Sequence, residues 1–86
     1  MATPDAVKGL LRTQLHEVER QSTNLGRLKQ RIEEAIAQVE SAIGGSASRD
    51  DQRILGQLQM NLGEIERSLA AMHNAVAEGR RFVGRT

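Results

Sequence analysis

Two histidines, His16 and His73, are the residues of this chain best suited to acid–base or ligand chemistry. Two imidazoles and a carboxylate make a donor set for a metal ion. If the chain folds back on itself near Ser46, position 16 comes opposite roughly position 76. That would bring His16 and His73 to one end of the molecule, near Glu19. Neither histidine has a second one four residues away, the spacing that places two ligands on one helix face. They therefore read as rim histidines, and no metal site is expected. The acids cluster as Glu33-Glu34, Asp50-Asp51 and Glu64-x-Glu66. None lies in an apolar stretch that would raise its pKa for proton transfer. Asp50 and Asp51 suit the start of a helix. Glu17, Glu33 and Glu64, interspersed with arginines, suit a solvated helix face. No catalytic residue, cofactor or enzyme activity is expected.

Composition narrows the chemistry further. The chain of 86 residues has no Cys, which excludes disulfides, thiolate metal sites and cysteine nucleophiles. It has no Trp, no Tyr and one Phe, so bases have no aromatic platform to stack on. Twelve basic residues against eleven acidic ones leave a net charge of +1, too little for a nucleic-acid partner. The segment Arg80-Arg81-Phe82-Val83-Gly84-Arg85 is basic and apolar. It reads as positive charge complementing a helix C-terminus, with contact to an acidic surface as the other reading. Gly44-Gly45 follows no strand and is not a phosphate loop. No apolar run reaches the roughly 20 residues of a membrane span, and Met1-Ala2-Thr3-Pro4-Asp5 does not begin a Sec-type signal peptide.

The elements that must position these residues are helices. Apolar residues recur in alternating steps of four and three at Leu11, Leu15, Val18, Leu25, Ile32, Ile36, Val39 and Ile43. Ser22 and Lys29 interrupt this repeat, with Leu28 expected to cover the gap beside Lys29. A second repeat runs through Leu55, Leu58, Leu62, Ile65, Leu69, Met72, Val76 and Val83, interrupted by Gly79. Thr3 suits an N-cap, Pro4 the first turn, and Gly44-Gly45 a stop. Ser48, followed by two acids, suits a second N-cap. The spacing predicts one all-α domain over 1–86, with helices over 4–43 and 49–81, a turn at 44–48 and a fraying tail at 82–86. A turn this short makes the helices antiparallel neighbours, forming a helical hairpin.

A lone hairpin of this size buries a single seam and lacks a staple, so a partner is expected. Leu28, Ala35 and Ala42 form an apolar column beside the first seam, and Ile54, Ala75 and Phe82 one beside the second. Gly56, Gly63, Ala70, Ala77 and Gly84 form a column of small residues through which another helix could approach closely. The expectation is a four-helix bundle made of two hairpins.

Two helices of nearly equal length, with the turn Ser41-Ala42-Ile43-Gly44-Gly45-Ser46-Ala47 almost at mid-chain, resemble the WXG-type (ESAT-like) helical hairpins of type VII secretion. The resemblance runs from about Val7 to Phe82. Ile43-Gly44-Gly45 takes the place of the family's Trp-x-Gly, with Ile43 where the Trp stands and Gly45 where the Gly stands. Ala47 is a following small residue. In the family's export signal, Tyr-x-x-x-acid, Asn74 takes the Tyr place and Glu78 that of the acid. The resemblance implies a non-catalytic protein that pairs with itself or with a paralogous hairpin and leaves the cell without a Sec signal. A secretion ATPase and, in some settings, a larger toxin are the further partners it implies. Lacking the Tyr, this chain would be the partner that travels with a signal-bearing hairpin. Two other readings fit the residues: a cytoplasmic scaffold or adaptor subunit, and a helper or chaperone of a larger toxin.

Overall fold

The computed structural model describes residues 3–45 and 48–85, which form an all-α helical hairpin. Helix α1 spans Pro4–Ile43 and helix α2 spans Arg49–Gly84. Thr3 caps α1: its hydroxyl accepts from the Ala6 N–H at 3.1 Å, and Pro4 opens the first turn, where no N–H is needed. The helix stops where Gly44 adopts φ 63°, a backbone angle that side chains resist, while its N–H still donates to the Glu40 carbonyl. Ser48 caps α2 reciprocally. Its Oγ accepts from the Asp51 N–H, and the Asp51 carboxylate accepts from the Ser48 N–H, each at 3.1 Å. Ser46 and Ala47 of the turn and Thr86 of the tail lie outside the described residues.

Helix α2 continues three residues past the expected end at Arg81. The reason is packing. Val83 prolongs the apolar repeat and is half-buried beside Leu15, so the last turn is held against α1. Phe82, Val83 and Gly84 are therefore helical rather than a frayed tail.

The two helices meet along the expected repeats. Every repeat position of α1 from Leu11 to Ile43 is buried or half-buried, and every one of α2 from Leu55 to Val83 is half-buried. Ser22, Lys29 and Gly79 are no exception. Leu28 does not cover the position beside Lys29: it is 44% exposed, and Lys29 itself turns into the seam. The hairpin measures 63 × 20 × 15 Å, with a radius of gyration of 19.3 Å against about 12 Å for a compact chain of this length. Among the described residues only Leu15 and Ile36 are buried apolar residues, and no side chain is fully enclosed.

Candidate functional site

The interruptions in the α1 repeat are answered from α2. Ser22 is buried, and a hydrogen bond of 3.0 Å joins its Oγ to His73 Nε2. One heptad further along, Lys29 Nζ lies 3.9 Å from the Glu66 carboxylate. On the other side of Ser22, Arg80 pairs with Glu19. Glu66, His73 and Arg80 stand seven residues apart, one column on α2. This ladder of polar contacts runs along one flank of the seam. A slip of the helices by one turn would strand Ser22 and Lys29 without their partners, so the ladder defines the register.

The histidines do not converge as a pair of ligands. His73 sits with Ser22, Thr23 and Glu19 in one open groove. His16 lines the next, at the open end of the hairpin, with Arg12, Leu15 and Val83. Arg80 borders both grooves. The chain crosses with Leu15 beside Gly79, about two residues from the offset expected from the sequence. Among the described residues, no three His, Asp or Glu side chains come together as a metal site. Of the acids named from the sequence, Glu17 is half-buried and receives Arg20 at 2.6 Å; this hydrogen bond holds its carboxyl below the ordinary glutamate range. Asp50 lies 3.6 Å from Arg53 on the surface. No described helix is long and apolar enough to cross a membrane.

The two flanks of the seam differ in chemistry. The polar flank carries Arg12, Glu19, Glu33 and Glu40 from α1, and Glu66, His73 and Arg80 from α2. The small-residue column Gly56, Gly63, Ala70 and Ala77 borders this flank. A side chain on Gly56 would meet open space, and one on Gly63 only the Arg67 guanidinium at 3.5 Å. The opposite flank is seen in the open groove lined by Gln21, Asn24, Leu25, Leu28 and Met72. Its α1 column, read every seven residues, is Val7, Gln14, Gln21, Leu28, Ala35 and Ala42. Its α2 column is Ile54, Asn61, Ser68, Ala75 and Phe82. None of these eleven residues is charged. At the chain's 27% charged content, about three of them would otherwise be. Val7, Leu28, Ile54 and Phe82 on these columns are each 44–53% exposed, and they are four of the six exposed large apolar side chains among the described residues.

The sequence reading named Leu28, Ala35, Ala42, Ile54, Ala75 and Phe82 on this flank. It missed Val7 and the uncharged polar members between them. The signal was present: the heptad columns that begin at 7 and 54 contain no Lys, Arg, Asp or Glu. The close-packing column and the apolar columns, treated together from the sequence, occupy opposite flanks. The turn residue Ile43 is half-buried at the end of α1, and Gly45 is exposed. Comparison with family models, curated proteins and solved structures finds no match for this chain.

Proposed function

We propose that this chain is a non-enzymatic helical hairpin that acts by pairing, presenting its uncharged flank to a second helical hairpin. The observation that carries the reading is the contrast between the flanks. Four large apolar side chains stand exposed in two columns free of charge, while the other flank is occupied by its own polar ladder. Large apolar side chains left exposed along one uncharged face suit a protein-contact surface.

The role we propose for the paired protein is that of a type VII secretion substrate or its co-secreted partner. The supporting features are two helices of 40 and 36 residues and the Ile43-Gly44-Gly45 turn between them. A cytoplasmic scaffold would use the same flank, and the two readings part on location. The test compares culture supernatant with cell lysate for the untagged protein in its native host, with and without the secretion ATPase. Appearance in the supernatant only when the ATPase is present is expected. Retention in the lysate of both strains would replace export with the scaffold reading.

A further inference from the structure

We infer that the groove at the open end of the hairpin is a binding site for a phosphate ester with an apolar substituent. Arg12, Leu15, His16, Arg80, Val83 and Gly84 line it, around about 200 Å³ of space. Arg12 and His16 stand four residues apart on one face of α1, and Arg80 and Gly84 do the same on α2. Leu15, which is buried, and Val83, which is half-buried, supply the apolar part of the lining. Two guanidinium groups and an imidazole therefore border one apolar groove, and no carboxylate lines it. The groove lies on the polar flank, so the inference goes beyond the pairing reading and does not depend on it.

Charge along the hairpin favours an anion at this end. Residues 3–16 and 80–85 carry Lys8, Arg12, Arg80, Arg81 and Arg85 against Asp5 alone. Residues 33–45 and 48–53, at the turn end, carry Glu33, Glu34, Glu40, Asp50 and Asp51 against Arg49 and Arg53. A chain of net charge +1 is thus polarised, and its field draws anions to the open end. The fold does not use all of these cations. The ion pairs among the described residues engage Arg20, Lys29, Arg53 and Arg80, and Arg12 joins none of them. Arg80 meets Glu19 through one terminal nitrogen, which leaves guanidinium donors for a ligand. At this end the positive start of α1 and the negative end of α2 lie side by side and largely offset each other. The lining then selects among anions. A phosphate monoester offers three oxygens and up to two negative charges, enough for both guanidinium groups and the imidazole together. A carboxylate offers two oxygens, which a single arginine fork already fills. Leu15 and Val83 give the substituent an apolar wall. The volume is below the roughly 300–1,000 Å³ of pockets for drug-sized ligands, so it suits a phosphate on a short chain or the headgroup end of a phospholipid.

The test titrates the isotope-labelled full chain with hexyl phosphate, hexanoate and inorganic phosphate, following amide shifts by NMR. Hexyl phosphate should move the amides of Arg12, His16, Arg80 and Gly84. It should bind about tenfold or more tighter than inorganic phosphate, the effect of burying two methylenes. It should also bind about tenfold tighter than hexanoate. Arg12→Gln, at an exposed position, should weaken hexyl phosphate about tenfold. Gly84→Leu keeps every charge but should fill the groove, since a Cβ there meets nothing within 4 Å. It should erase the preference for hexyl phosphate over inorganic phosphate. Helical circular dichroism shows that each variant folds. Equal affinity for hexyl phosphate and inorganic phosphate would overturn the site. So would hexanoate binding as tightly as hexyl phosphate, or both variants binding like the parent. Vesicles of phosphatidylglycerol separate the two sources of the ester. Binding to them that is lost in Arg12→Gln assigns the site to a lipid headgroup, and binding of hexyl phosphate alone assigns it to a free ester. None of these results bears on pairing or on ATPase-dependent export, so failure of this inference is distinguishable from failure of the function proposed above.

Discussion

The Leu15 side chain fills the space that a side chain on Gly79 would need. A Cβ built on Gly79 would lie 2.6 Å from Leu15 Cδ2, far inside contact distance. In the sequence, Gly79 looks like a gap in the α2 repeat. In the fold it is the socket for Leu15, which is buried. The absence of a side chain lets α2 come close to α1 where Leu15 points across.

Gly79→Ala should therefore destabilise the hairpin, although alanine is the better helix former by about 0.5–1 kcal/mol. Overpacking a filled site costs about 1–3 kcal/mol, which exceeds that gain. Gly26→Ala is the matched control, because a Cβ there meets nothing within 4 Å. It should stabilise by up to about 1 kcal/mol, raising the melting temperature by roughly 4–8 °C. Thermal melts of the two variants check the pair. A Gly79→Ala protein more stable than the parent would show that Leu15 does not occupy this socket.

The Ser22–His73 contact should appear as a coupling energy. Ser22→Ala and His73→Ala each remove one side of a hydrogen bond at the seam. A double-mutant cycle by urea denaturation should return about 1 kcal/mol of interaction, within the range of neutral hydrogen bonds. Additive effects of the two substitutions would mean that the contact does not hold the register.

Much of this fold was legible because two local rules agreed. Heptad spacing identified every seam position, and Thr3, Pro4, Gly44 and Ser48 marked the boundaries through capping and backbone freedom. What was not legible depends on the other helix. Ser22 and Lys29 look like flaws until His73 and Glu66 stand opposite, and Gly79 looks like one until Leu15 does. The end of α2 was misplaced for the same reason, since Val83 is held by packing against α1 rather than by its own sequence context. The flank chemistry was written in single columns. Which columns share a side became clear only once the hairpin's register was known.

The account turns on pairing through the uncharged flank, and the most direct measurement is sedimentation equilibrium of three proteins at micromolar concentration: the parent chain, Leu28→Asp and Gly63→Leu. Leu28 is exposed in the single hairpin and lies outside the seam, so Leu28→Asp should keep its helicity. Its dimer, however, would carry a buried, unpaired charge. The account predicts a dimeric parent, a dimer weakened at least about tenfold in Leu28→Asp, and an unchanged dimer in Gly63→Leu, whose column borders the polar flank. A monomeric parent would contradict it. So would a dimer that tolerates Leu28→Asp and dissociates with Gly63→Leu, which would move the contact to the opposite flank.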